Sequence, residues 1–244
     1  MKRMLLTISY DGTAYHGWQV QPNGITVQQT LQDALEKLLG SRVSVTGCSR
    51  TDAGVHAREF ACHVDCDDCF PENAFLKGLN SLLPNDICVT DCRQVDNDFH
   101  ARYNAKGKKY VYSMYKGALN PFDSRYMLHL ENAPDVDLMN EFCKGIIGTH
   151  DFAAFSSSKR TVEDTVRSIK ECKVTQKDNY YYFEIIGDGF LYNMVRILAG
   201  TALAVGQKRL SYDCYNEIFA SNDRSKAGDT LPAFALILDK VFYD

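Results

Sequence analysis

The chain has 244 residues and a mass of 27.5 kDa, with 45% hydrophobic and 24% charged side chains, proportions that allow a substantial buried core. Its glycines and prolines are too few and too aperiodic for a fibre, and no run reaches the ~18 apolar residues of a membrane span or forms a secretion signal behind Lys2 and Arg3. The net charge of −4 argues against a uniformly basic binder of polyanions, and a cytoplasmic location is the expectation. In chain order, residues 4–10 read as a strand. A helix follows over 26–40, where Thr26 caps, Gln29 completes a capping box, Val27, Leu31, Leu35, Leu38 and Leu39 share a face, and Gly40 ends it. Strands are expected at 43–46 and 60–64. A second helix opens at Pro71, carries Phe75, Leu79, Leu82 and Leu83 on one stripe and stops at Pro84, before a strand over 87–95.

Strand, helix, strand, strand, helix, strand is the split βαβ, or ferredoxin-like, order. Less clearly, the rest of the chain repeats it: a strand at 109–115, a helix near 138–147, strands near 166–175 and 180–186, a helix over 190–205 and a last strand at 234–241, preceded by a short helix at 212–219. The expected class is α+β, with two ferredoxin-like halves, 1–104 and 105–244, sharing a mostly antiparallel central sheet and carrying helices on one face. No long linker separates them.

Charge and thiols are unevenly distributed. Acidic residues crowd the stretch from Asp65 to Asp98, whereas Phe99 to Phe122 holds Arg102, Lys106, Lys108, Lys109 and Lys116 with no carboxylate. A solvated face is the bland explanation of such a run; a grip on a phosphate backbone is the functional one. The nine cysteines suit reduced, mostly buried thiols, since only Cys66 and Cys69 have the two-residue gap of a zinc pair and no matching pair follows.

The segment most suggestive of chemistry is Gly47-Cys48-Ser49-Arg50-Thr51-Asp52-Ala53-Gly54-Val55-His56-Ala57, a small polar loop between strands that holds a guanidinium, a carboxylate and an imidazole close together. Taken alone, Thr51-Asp52-Ala53-Gly54 is equally a plain turn with Gly54 at positive φ. Here the chain resembles the bacterial tRNA pseudouridine synthase I family, and the resemblance runs over nearly its whole length. It rests on Tyr10-Asp11-Gly12 with Gly17-Trp18-Gln19 and Gln21, on Arg50 to Ala57, on Phe99-His100-Ala101-Arg102 leading to Lys109-Tyr110-Val111-Tyr112, on Gly148-Thr149-His150-Asp151-Phe152, and on Gly189-Phe190-Leu191-Tyr192-Asn193-Met194-Val195-Arg196. Ser49, where a glycine is common, and Leu231-Pro232-Ala233-Phe234-Ala235 depart from the family pattern.

The resemblance implies the pseudouridine synthase fold and isomerisation of uridine to pseudouridine at positions 38, 39 and 40 of the tRNA anticodon stem-loop. It further implies a homodimer, no cofactor and no metal, with Asp52 as nucleophile. A carboxylate can form a transient covalent link while the freed base turns, and a guanidinium beside it keeps it ionised in a shielded site. The family comparison assigns that guanidinium to Arg196, although helical spacing alone makes Arg196 a solvated residue on an apolar helix. It assigns the ring that holds the uracil to Tyr110, which shares a strand face with Tyr112. Arg50 could fill the space left by a flipped base or grip a phosphate, and Arg102, Lys106, Lys108 and Lys109 could track the RNA backbone. The rival is a non-catalytic RNA-binding protein on the same scaffold. A metal-dependent hydrolase built on Asp52, His56 and His63 is a third possibility, with no ligand spacing to support it.

Overall fold

The computed structural model describes residues 1–67, 71–157 and 163–243. The chain forms two compact units, Met1–Lys106 with Ile237–Asp244, and Gly107–Leu236. The first contains β1 (Lys2–Tyr10), α1 (Val27–Leu39), β2 (Val45–Gly47), β3 (His56–Cys66), α2 (Glu72–Leu82) and β4 (Ile87–Val95). The second contains β5 (Gly107–Lys116), α3 (Pro121–Ser124), β6 (Leu128–Leu130), α4 (Val136–Gly145), β7 (Gly148–Asp151), β8 (Val166–Lys177), β9 (Tyr180–Gly187), α5 (Met194–Gly206) and α6 (Cys214–Ser221). The last strand is β10 (Leu236–Phe242).

In the first unit β1 lies between β4 and β3, antiparallel to both, and β2 pairs antiparallel with the far side of β3. The order 4-1-3-2 is the ferredoxin-like sheet expected from the sequence. Helix α1 starts where Thr26 accepts the Gln29 N–H at 3.3 Å and ends at Gly40, left-handed at φ 74°. It buries Val27, Leu31, Ala34 and Leu35. Helix α2 turns Phe75 and Leu79 inward and is tied to β4 by the Asn80 amide, which donates to the Val89 carbonyl and accepts from the Val89 N–H, both at 2.8 Å. Beneath the helices lie Met4, Leu6, Ile8, Phe60 and Val64, alternate residues of the central strands.

A boundary near residue 104 with a contiguous second half does not describe the packing. The chain divides after Lys106, and its last strand returns to the first unit, where Ile237 and Leu238 pair in parallel with His56 and Ala57. The Arg58–Asp239 ion pair at 2.9 Å and the Lys106 N–H bond to the Phe242 carbonyl at 2.8 Å hold it there.

In the second unit β9 lies between β5 and β8, antiparallel to both, and β7 extends the sheet beside β8. The sequence β5-β9-β8 repeats the β1-β3-β2 arrangement of the first unit. Helix α5 is buried all round, as its Met194, Val195, Ile197, Leu198, Ala202 and Leu203 dictate. It begins at Met194, later than residue 190, because Asn193 is left-handed at φ 61° and the Met194 N–H turns back to the Leu191 carbonyl. The short α3, β6 and β7 lack enough periodic residues to be legible in sequence. No helix among the described residues is long and apolar enough to cross a membrane. Cys48, Cys62, Cys66, Cys92, Cys143 and Cys172 are buried, whereas Cys69 lies outside the described residues.

Candidate active site

The Asp52 loop connects β2 to β3 and is clasped by the segment that follows β1. Tyr10 Oη and Thr51 Oγ1 lie 2.8 Å apart, the Trp18 N–H donates to the Thr51 carbonyl at 3.1 Å, and the Gly54 N–H donates to the Tyr15 carbonyl at 3.3 Å. Gly17, at φ 82°, permits this approach: a Cβ there would sit 2.4 Å from the Thr51 carbonyl oxygen. Trp18 stacks on Phe60 with centroids 4.1 Å apart, so Gly17 and Trp18 both serve to seat the loop. Farther round, the Gly12 N–H donates to His56 Nδ1 at 3.0 Å, and Tyr15 Oη donates to Asp86 at 2.7 Å. Burial and Asp86 hold the Tyr15 hydroxyl above its ordinary pKa and therefore protonated.

Within this clasp the turn reading is correct for the backbone, since the Val55 N–H closes on the Asp52 carbonyl at 3.1 Å and Gly54 has φ 79°. Thr51 is buried, Asp52 half-buried and Ala53 exposed, so the carboxylate stands partly shielded on an anchored loop. Arg50 is exposed on the same loop and forms no side-chain hydrogen bond or ion pair among the described residues, so a surface ion pair does not account for it.

In the second unit Tyr110 and Tyr112 share a face of β5. Tyr110 is buried and meets the Phe190 ring edge-on at 5.2 Å. Tyr112 is fully buried, donates its hydroxyl to the Pro232 carbonyl at 3.0 Å and is held protonated by burial, a packing role. Arg196 does not extend into solvent as helical spacing alone suggests. It is half-buried on the first turn of α5, with Nε donating to the Leu231 carbonyl at 2.6 Å and Nη1 to Asn193 Oδ1 at 2.8 Å. The departing Leu231-Pro232 segment thus serves Arg196 and Tyr112 through carbonyl oxygens, which any residue supplies.

The expected basic face is not one surface. Arg102 and Lys106 are exposed, but Lys108 is buried and Lys109 is paired with Glu184 at 2.7 Å, because alternate residues of a strand point to opposite sides. His56 and His63 cannot share a metal with Asp52, since the seven residue steps between them along β3 span about 20 Å. Sequence reasoning passed over Asn193, whose only signal is a residue type that tolerates the left-handed conformation just before a helix.

A family model described as tRNA pseudouridine synthase matches residues 6–104 and 142–244, most of both units. The chain belongs to the tRNA pseudouridine synthase family. Proteins named tRNA pseudouridine synthase A from Clostridium kluyveri and Clostridium acetobutylicum are 46% and 41% identical to it over 244 residues, covering all of both chains. One from Ruminiclostridium cellulolyticum is 45% identical over 248 residues, again over the full length of each. Both the Arg50-Thr51-Asp52 loop and the Asn193-Met194-Val195-Arg196 helix start of this family member fall inside the matched residues.

Proposed function

We propose that this chain isomerises uridine to pseudouridine in tRNA, at positions 38, 39 and 40 of the anticodon stem-loop, with Asp52 as the nucleophile. The observation that carries the assignment is the half-buried Asp52 carboxylate on a loop clasped by Tyr10, Tyr15 and Trp18. A group that must attack a strained position gains most when its loop is anchored beforehand. In the reaction the N1–C1′ bond breaks and a C5–C1′ bond forms. The proton on C5 leaves and N1 gains one, so no redox partner is needed. Asp52 holds the substrate covalently while the uracil turns, Arg196 keeps the carboxylate ionised, and Tyr110 holds the ring. Arg50 meets the strand from which the base has flipped, and Arg102 and Lys106 contact phosphates. The enzyme works as a cytoplasmic homodimer without cofactor or metal.

Because the C5 hydrogen is lost once per product, tRNA carrying tritium at C5 of uridine reports turnover directly. The wild-type protein is expected to release tritium. Asp52→Ala is expected to release less than about a thousandth as fast while binding the same RNA within a few-fold. A wild-type protein that binds tRNA and releases none is the non-catalytic binder, and an active Asp52→Ala variant removes Asp52 from the chemistry.

A further inference from the structure

The start of α5 contains a second group whose chemistry the proposed reaction leaves unused. Asn193 precedes the first helical residue and adopts φ 61°, a conformation that glycine accepts freely and that asparagine tolerates better than most residues. Its side chain does not cap the helix in the usual manner, since no backbone N–H is bound by it. Instead both ends of the amide are occupied by side chains. Oδ1 accepts from Arg196 Nη1 at 2.8 Å, and Nδ2 donates to Ser157 Oγ at 2.8 Å. The first bond determines which way the amide points, because a guanidinium can only donate and a flipped amide would present its NH2 to it, whereas the serine hydroxyl holds the amide from its other end. Ser157 is itself placed by its N–H, which donates to the Tyr192 carbonyl at 3.2 Å, and the neighbouring Ser156 hydroxyl reaches the same carbonyl at 3.3 Å.

Arg196 is long, and a free arginine side chain loses up to about 2 kcal/mol of rotamer entropy when it is ordered. Two acceptors at different points of its planar fork, the Leu231 carbonyl on Nε and Asn193 on Nη1, fix both the direction of the side chain and the rotation of the guanidinium plane. We infer that Asn193 is a positioning residue for the isomerisation, orienting the Arg196 guanidinium through an amide held in register by Ser157. The inference rests on the role proposed above for Arg196. It explains why an asparagine, rather than the glycine that the backbone would accept, occupies a left-handed position at the start of a buried helix.

The test compares Asn193→Gly, Asn193→Asp and Arg196→Met by tritium release from the same C5-labelled tRNA under multiple turnover, with Tm measured on each. Glycine satisfies the backbone and removes both side-chain bonds, whereas aspartate tolerates the conformation and retains an oxygen toward Arg196. Asn193→Gly is expected to lower kcat about 10- to 100-fold with KM changed less than about threefold, the signature of misplaced geometry and not of weakened RNA binding. Asn193→Asp is expected to recover kcat to within about fivefold of wild type. A folded Asn193→Gly variant with wild-type kcat, beside an impaired Arg196→Met, overturns the inference and leaves the proposed role of Arg196 intact. So does an Asn193→Asp variant as slow as Arg196→Met, which keeps the comparison decisive if the glycine variant fails to fold. Full activity in Arg196→Met instead removes the role of Arg196 on which the inference depends.

Discussion

His63 shows how far a single residue's surroundings can depart from its composition. It is buried on β3, and its Nδ1 accepts the Ala101 N–H at 3.1 Å, so the ring must be neutral to hold the Phe99 to Tyr103 segment. Burial, followed by the charges of Arg3 and His100 and against the opposing pull of Asp65, lowers its pKa from 6.5 to about 4. Below pH 6.5 the unfolded histidine takes up a proton that the folded one refuses until about pH 4, so stability falls as pH drops through that window. Thermal melts across it are expected to show Tm declining. His63→Asn offers an acceptor to Ala101 without titrating, and its decline should be shallower; parallel curves would show that other groups dominate. The same distinction between composition and placement separates Lys108 and Lys109, adjacent in sequence, one buried and the other spent on Glu184.

At the scale of elements, two left-handed glycines look alike locally and do different work. Gly40 ends α1 in open space, whereas a Cβ on Gly17 would press 2.4 Å against the Thr51 carbonyl. Gly40→Ala should cost about 1 kcal/mol in denaturant unfolding, from backbone strain alone, and leave turnover untouched. Gly17→Ala should cost more stability and also reduce kcat, because the displaced carbonyl belongs to the residue before Asp52. Equal losses of activity in the two variants would mean that the clasp does not set the loop. The start of α5 shows the same principle: its apolar periodicity extends to Phe190, but the left-handed Asn193 delays the helix until Met194.

For the whole molecule, the decisive contact is between the two ends of the chain. The strand after Leu236 completes the first unit beside β3, next to the residues that carry the Asp52 loop. Besides its backbone pairs it contributes Asp239 to Arg58 and the Tyr243 hydroxyl to the Ala101 carbonyl. A chain ending at residue 236 is therefore expected to lose amide protection along β3 while the β8–β9 hairpin keeps its own. Hydrogen exchange resolves the two, and undiminished protection at 56–60 would show that the terminal strand is dispensable. The net charge of −4 belongs to this scale as well: with Lys108 buried and Lys109 paired, the exposed cations among those proposed to contact RNA are Arg50, Arg102 and Lys106.

The amino-acid order by itself determined what depends on near neighbours. Thr26 and Gly40 bound α1, apolar spacing marks the inward faces of α1 and α2, and Gly54 marks the turn after Asp52. These signals act over a turn or two of backbone, and the βαββαβ order follows from them. Tertiary structure alone decided which distant atoms meet. Thr51 finds Tyr10 across 41 residues, and Arg196 finds the Leu231 carbonyl across 35. The last strand crosses the length of the chain to lie against β3. Such pairings are settled by the burial and hydrogen bonding of the assembled sheet, where each buried polar group must find a partner, and no local period records which partner it will be.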